Sequence, residues 1–267
     1  MRFFNKPKVY LVGKTSIVTE GLKDYLADIG SPDWQIDLDV SDAENLIEAA
    51  GRMCYRSWQE YDPSRPLATN PNVSKVRKGN DVYIRNVLEG HHGSILEHAT
   101  MSFICCDVSR VFTHELVRHR AGMAYSQESL RYVRLDEIPF WLPEAVKGNE
   151  KALEKYKNVI KYLEEAQTEL ATTFNIKSIR NFHTKKEITS MFRRLLPEGM
   201  ATSIFVTGNL RAWRHIIAMR TSSAAEAEIR VVLDQIARIC KRECPNVFQD
   251  MQYNHETQEW TFLNEKV

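Results

Sequence analysis

Cysteine is scarce in this sequence, and the residues that occur follow no pattern that would give them a shared role. They number five, an odd count without a Cys-x-x-Cys pair: Cys54, Cys105, Cys106, Cys240 and Cys244. This argues against both a disulfide framework and a thioredoxin-type redox motif. Because Cys105 and Cys106 lie in an apolar segment without an adjacent base, we expect inert, reduced thiols rather than a nucleophile.

Long apolar runs and an excess of charge of one sign are absent too. No stretch approaches the roughly 18 apolar residues of a membrane span, and residues 1–7 lack the apolar core of a secretion signal. The 36 basic and 35 acidic residues leave a net charge of +1, whereas a nucleic-acid-binding domain is usually basic. We therefore expect a cytoplasmic protein whose partners include neither a membrane nor a nucleic acid.

What the sequence does contain is mostly helical patterning. Ser41 and Glu44 have the spacing of a capping box, which predicts a helix to about Arg56. Other helices are predicted at 20–27, before Gly90, from Ser109 through Leu116, at 149–174, before Pro197, at 210–219 and at 224–242. Strands are predicted at 9–12 and 100–108, and an extended segment or strand at 124–134. The predicted class is α+β, a helix-rich single domain with one modest mixed or antiparallel sheet.

The segment 118–134 concentrates arginines among hydroxyl and amide side chains. Arg118, Arg120 and Arg131 stand close in sequence to Gln127 and Ser129. Each guanidinium is permanently charged and can meet a phosphate or carboxylate with two parallel hydrogen bonds. The segment therefore predicts a site for one phosphorylated ligand.

Several histidines and cysteines suggest metal sites that their spacing does not support. His114 and His119 flank Glu115 much as in a zinc-protease helix, but the second His follows the first by five residues instead of four. Cys240 and Cys244 share a helical face without a second pair of ligands, so buried packing is the favoured interpretation. For the histidines between positions 91 and 98, structural and functional interpretations stay equally open. We predict no metal site.

A second basic segment lies in the C-terminal half. A helix that begins near Asn209 would carry Arg211 and His215 on one stripe, with Arg220 at its far end. One ligand could touch all three, although the segment by itself favours a solvated charged face. Arg193 would by itself be interpreted as a surface residue.

Together these segments resemble the flavin-dependent thymidylate synthase family. Its signature, Arg-His-Arg followed by Ser-x-Arg-Tyr, occurs at 118–120 and 129–132 with a spacer of eight residues, where seven is commoner. Three further blocks match in the same order, at 92–98, 193–197 and 209–229. The likeness spans about residues 42–250. We accordingly predict an N-terminal extension at 1–40, a catalytic domain at 41–255 and a C-terminal tail at 256–267.

The resemblance implies a reaction and an assembly. The protein would convert dUMP to dTMP, with a methylene group from 5,10-methylenetetrahydrofolate and reducing equivalents from NADPH through bound FAD, and would release tetrahydrofolate. Family members are homotetramers whose active sites are shared between subunits. The family needs no cysteine nucleophile, which agrees with the unactivated thiols.

The resemblance also implies roles for individual residues. The implied FAD contacts are Ser94, Arg118, His119, Arg120, Gln127, Asn209, Arg211 and His215. The implied dUMP contacts are Glu115, Arg118, Gln127, Glu128, Ser129, Leu130, Arg131, Arg193 and Arg220. Arg220 is the implied catalytic residue, set against the uracil ring, where a guanidinium can stabilise negative charge on N3 and O4 without losing a proton. Gln127 stands where many members have Glu, and His215 where some have Asn.

Three other functions stay open at this point. A related flavoprotein could alkylate or hydroxymethylate a different pyrimidine nucleotide. A single-stranded nucleic-acid binder could use the arginines and aromatic residues of 110–134 as a stacking groove, although the charge balance argues against it. A family-like scaffold without activity is disfavoured by the intact Arg118, Arg131 and Arg220.

Overall fold

The structure is a computed structural model that describes residues 2–4, 6–130 and 137–267. Its α-helices are α1 (Thr19–Asp28), α2 (Asp42–Tyr55), α3 (Asn80–Glu89), α4 (Arg110–Leu116), α5 (Glu144–Lys147), α6 (Glu150–Thr173), α7 (Phe182–Phe192), α8 (Leu210–Thr221) and α9 (Ala227–Glu243). Its strands are β1 (Arg2–Phe4), β2 (Lys8–Lys14), β3 (Thr100–Ser109), β4 (Met123–Gln127), β5 (Pro139–Trp141), β6 (Ala201–Asn209), β7 (Met251–Asn254) and β8 (Glu259–Phe262). Short 3₁₀ helices occupy Gly93–His98, Ile176–Ser178 and Arg193–Leu195. The α+β class is confirmed.

The ends of the helices follow from local chemistry. At the start of α2, the Ser41 hydroxyl accepts from the Glu44 amide while the Glu44 carboxylate accepts from the Ser41 amide, as the capping box predicted. Ser109 caps α4 by accepting from the Phe112 amide at 3.1 Å. Asn209 caps α8 by accepting from the Ala212 amide at 2.8 Å. Two of these caps stand at segments to which the family resemblance assigns ligand contacts.

The strands form more than the one sheet that the sequence predicted. A four-stranded sheet has the order β2-β3-β6-β4, and among the described residues two further sheets pair β1 with β5 and β7 with β8. The β1–β5 pair is parallel, with Phe3 opposite Phe140, and the β7–β8 pair is antiparallel, with Tyr253 opposite Trp260. The extra sheets are built from strands of three or four residues, which are too short to show a period in the sequence.

The described chain divides into two compact units that alternate along the sequence. Unit 1 comprises 1–10, 104–119 and 125–206, and unit 2 comprises 11–103, 120–124 and 207–267. The predicted bounds at 40/41 and 255/256 stay predictions. No helix in the described ranges is both long enough and apolar enough to cross a membrane.

Each unit has buried apolar residues of its own. In unit 1, Ile138, Phe140, Ile160 and Met200 pack together under the long helix α6. In unit 2, α8 packs along α9, and the edge of Trp213 on α8 meets Phe103 with ring centroids 5.1 Å apart. A second cluster of unit 2 is formed by Leu26, Ala49, Trp58 and Ala68. Leu26 comes from the first 40 residues, so this stretch contributes to a core.

Candidate functional site

The sequence-predicted site residues fall in both units, and most stand at the ends of elements. In unit 1 they lie in or after α4 (Glu115, Arg118, His119), at the end of β4 and in the loop after it (Gln127, Glu128, Ser129, Leu130), and in the 3₁₀ helix after α7 (Arg193). In unit 2 they lie in the 3₁₀ helix Gly93–His98 (Ser94), in the turn before β4 (Arg120) and on or just before α8 (Asn209, Arg211, His215, Arg220). Arg131 lies outside the described residues.

Tyr125 joins two segments of unit 1 that carry predicted ligand contacts. Its hydroxyl lies 2.6 Å from the carbonyl oxygen of His119 and 3.0 Å from that of Leu116. The Leu116 carbonyl belongs to the last turn of α4, where carbonyls lack helical partners. Tyr125 shares one face of β4 with Gln127, since side chains two residues apart on a strand point the same way. One hydroxyl thus fixes the turn that carries Arg118 and His119 against the strand that carries Gln127.

The side-chain amide of Gln127 carries a buried hydrogen-bond donor. Its side-chain nitrogen Nε2 is buried and has no hydrogen bond within the described part of the chain. Leaving such a donor unpaired costs about 1–3 kcal/mol. The amide is therefore a candidate donor to a ligand.

The loop after β4 is held at its first residue. The Glu128 amide donates to the Ser203 carbonyl at 3.0 Å, and the Glu128 carboxylate accepts from the Thr202 hydroxyl at 3.5 Å. Farther along unit 1, Leu130 and Arg193 line one cavity of about 530 Å³, together with Lys177. The structure thus brings together two of the predicted dUMP contacts, Leu130 and Arg193, beside a second cation.

In unit 2 a glycine fits the turn between the Arg-His-Arg triplet and β4. Gly122 has φ +70°, a conformation that favours glycine, and its amide carbonyl accepts from the Asn209 backbone at 3.0 Å. A Cβ at this position would lie 2.4 Å from Nδ2 of Asn209. Gly122 therefore brings the turn that holds Arg120 directly against the cap of α8.

Helix α8 carries three of the predicted ligand contacts. Arg211 and His215 lie one turn apart on one side of the helix, Trp213 and Ile217 are buried on the opposite side, and Arg220 lies in the last turn. The Arg211 guanidinium forms an ion pair with Glu97 at 2.6 Å and also donates from Nε to the main-chain oxygen of Val267 at 3.0 Å. Glu97 belongs to the same 3₁₀ helix as Ser94. Sequence reasoning did not single out Glu97 or Tyr125, although both stand inside motifs that it quoted.

The three buried cysteines, Cys105, Cys240 and Cys244, are poorly suited to nucleophilic chemistry. Burial raises the pKa of the Cys105 thiol to about 12, with a smaller contribution from neighbouring Cys106. Burial likewise raises the pKa of Cys244 to about 12 and that of Cys240 well above the usual range. Cys54 alone among the five is exposed. No group of three His, Cys, Asp or Glu residues in the described ranges is placed to hold a metal ion.

We expect thiol reactivity to follow this burial. At pH 7.5 a disulfide reagent should modify Cys54 in the folded protein, because only the thiolate is nucleophilic and only this thiol is freely accessible. Cys105, Cys240 and Cys244 should react only after denaturant is added. Mass spectrometry of the labelled peptides distinguishes the sites, and rapid labelling of Cys105 in folded protein would contradict the assignment.

Tyr125→Phe should loosen the turn after α4. Loss of the hydroxyl removes one hydrogen bond, worth about 1 kcal/mol of the free energy of unfolding. The matched control is Tyr162→Phe, since Tyr162 is 69% exposed on α6 and should change stability by less than about 0.5 kcal/mol. Urea unfolding of both variants measures the difference. Equal free energies of unfolding for the two variants would show that the Tyr125 hydroxyl does not stabilise the turn after α4.

The chain is similar to proteins of one family over most of its length. A sequence model of the family described as thymidylate synthase complementing protein matches residues 38–246. A flavin-dependent thymidylate synthase of Corynebacterium diphtheriae is 34% identical over 223 residues, covering 82% of this chain and 83% of the relative. One of Mycobacteroides abscessus is 36% identical over 255 residues, covering 91% and 89%.

Solved structures agree on the fold. The UMP/dUMP methylase PolB of Streptomyces cacaoi, solved with 5-Br dUMP, superposes with a TM-score of 0.61 over 93% of this chain and 96% of its own, at 17% identity. This likeness shows the fold alone, whereas the family match and the sequence relatives cover the segments that carry the Arg-His-Arg signature and α8. The chain belongs to the flavin-dependent thymidylate synthase family.

Proposed function

We propose that the protein methylates dUMP to dTMP with 5,10-methylenetetrahydrofolate as the carbon donor, NADPH as the reductant and FAD as the bound cofactor. The observation that carries this proposal is the family match over residues 38–246, which includes Arg118, His119 and Arg120 just after α4 and Asn209 and Arg211 at the start of α8. We also propose that the enzyme works in the cytoplasm as a homotetramer with active sites shared between subunits, as the family resemblance implies. Tetrahydrofolate would leave as the second product.

The donor types among the proposed FAD contacts fit a cofactor that is anionic and rich in hydrogen-bond acceptors. Gln127 offers a buried side-chain N–H that has no partner among the described residues, and the side chains of Arg118 and Arg120 are exposed. We propose Ser94, His119, Asn209, Arg211 and His215 as further FAD contacts. When bound, FAD supplies the redox chemistry that no protein side chain can perform.

For the nucleotide, we propose that arginines bind the phosphate while other side chains and backbone amides position the rest of the molecule. Arg193 lines the 530 Å³ cavity with Leu130 and Lys177, and guanidinium groups suit phosphate because they donate two parallel hydrogen bonds. Arg118 and Arg131 would add charge, and Glu115, Gln127, Glu128 and Ser129 would complete the pocket through side chains or backbone amides.

Arg220 has the one role that we propose to be catalytic. C5 of the pyrimidine attacks the one-carbon unit as a nucleophile when the ring carries negative charge on N3 and O4, and the displaced C5 hydrogen leaves as a proton. A fixed guanidinium stabilises that charge without changing its own protonation state. Helix α8 packs on α9. The first turn of α8 would thus bind FAD, and its last turn would contact the uracil ring.

A substrate panel tests the proposal. Purified protein with all co-substrates should methylate dUMP at least about a hundredfold faster than UMP or dCMP. This is expected of a site whose polar groups match one substrate. Faster turnover of UMP or dCMP would instead make the protein a methylase of another pyrimidine nucleotide. Product identity is read by chromatography and mass.

A further inference from the structure

The segment Asn264–Val267 of unit 2 reaches the predicted FAD contacts from far away in the sequence. It is anchored at Asn264, whose backbone N–H and side-chain Nδ2 donate to Oδ2 of Asp250 at 3.0 and 3.1 Å. The Asn264 carbonyl accepts from the Arg214 guanidinium at 3.1 Å. Asp250 and Arg214 are themselves a buried ion pair, 6% and 5% exposed. The anchor is therefore rigid.

Beyond this anchor, Val267 lies against Gly93. Gly93 is buried at the start of the 3₁₀ helix that carries Ser94 and Glu97. A Cβ on Gly93 would lie 2.2 Å from the carbonyl carbon of Val267, a distance at which backbone must move. The close approach of these two backbones therefore requires glycine at position 93.

At the same point, Val267 meets the guanidinium of Arg211. Its main-chain oxygen accepts from Nε at 3.0 Å, while Glu97 accepts from NH1 at 2.6 Å. Two acceptors on different nitrogens fix the plane of the guanidinium. An arginine side chain that is half exposed, as Arg211 is at 41%, would otherwise sample many rotamers.

We propose that Asn264–Val267 is a strap that orients Arg211 for binding FAD, with Gly93 as the residue that admits it. The inference rests on the proposed function, because Arg211 is an FAD contact only there. The strap is a positioning element and takes no part in the reaction. Because the strap already orders the Arg211 side chain in the free protein, FAD binding loses less side-chain entropy.

The test measures FAD affinity in apo-protein by quenching of flavin fluorescence. Gly93→Ala, which displaces Val267, and Asn264→Ala, which loosens the anchor at a distance from the contacts, should each raise the Kd for FAD about tenfold. Gly21→Ala, where an added Cβ meets nothing within 4 Å, and Gln252→Ala, exposed on β7, are the matched controls and should leave the Kd unchanged.

Repeating the measurement in Arg211→Ala protein separates orientation from a general loss of structure. If the strap acts through Arg211, Gly93→Ala and Asn264→Ala should change the Kd less than about twofold in that background, since a coupled pair is non-additive. An equal rise in both backgrounds, an unchanged Kd or tighter binding would overturn the proposal. Failure of the unaltered protein to bind FAD at all would instead refute the proposed function.

Discussion

Arg220→Ala is expected to lower the turnover of dUMP by about a hundredfold or more while FAD stays bound. Removing one preorganised group that stabilises developing charge typically costs a factor of about 10² to 10³ in turnover. Arg220 lies in the last turn of α8, where a cation also complements the helix dipole. Turnover at saturating substrate and the flavin content per subunit are the two measurements.

The matched control for this variant is Arg242→Ala. Arg242 is 67% exposed and pairs with neighbouring Glu243 on the surface of α9, so its loss should leave turnover unchanged. Arg220→Lys adds a graded test, because lysine keeps the charge but not the planar fork. Turnover of Arg220→Ala within about twofold of the unaltered protein would refute the role assigned to this residue.

Asp250→Asn is expected to destabilise the fold by about 3–5 kcal/mol, because it removes one partner of a buried ion pair and leaves the other charge uncompensated. Asp250 accepts two hydrogen bonds from Arg214, at 2.7 and 3.0 Å, and two from Asn264. The Arg214 guanidinium also stacks 4.4 Å from the ring of Phe262. Urea unfolding at neutral pH measures the loss.

The control for this second variant is Asp81→Asn. Asp81 pairs with Arg85 one helical turn away, at 3.6 Å, and both side chains are more than half exposed. Such surface pairs contribute about 0–1 kcal/mol. Equal destabilisation by the two substitutions would show that the Asp250 pair does not hold α8 to the residue before β7.

The same pair gives the stability a defined dependence on pH. Burial alone would raise the pKa of Asp250, but the hydrogen bonds and charge of Arg214, with help from Asn264, outweigh it and hold the pKa below its usual value. The folded-state pKa is therefore lower than the unfolded value of about 3.9. The contribution of the pair is complete above that unfolded value and is lost as the pH falls through the folded-state pKa. Asp250→Asn should remove this part of the acid-induced loss.

The local parts of the fold were predictable from the sequence because their causes are local. The capping box at Ser41 and Glu44, the cap at Ser109 and the apolar spacing of α6 each lie within a few residues of the element that they define. Strand β6 was not predicted, since Thr202, Thr207 and Gly208 interrupt its apolar pattern. The β7–β8 hairpin was not predicted, because each of its strands has only four residues.

Some features of the candidate site could likewise be predicted from the sequence, and others could not. The order of Arg211, His215 and Arg220 on one helix follows from helical geometry and was predicted. The contact of Val267 with Arg211 was not, because the sequence holds no signal for a meeting of residues so far apart. Gly93 appeared only as part of a motif, and its close approach to Val267 can be recognised only in three dimensions.

The measurement that tests the central claim most directly is the release of tritium from 5-tritiated dUMP, with FAD, NADPH and methylenetetrahydrofolate present together and each omitted in turn. One-carbon transfer to C5 must expel the hydrogen at that position, so the account predicts release into water that requires all three. No release from folded protein with flavin bound would contradict the assignment of dUMP as the substrate.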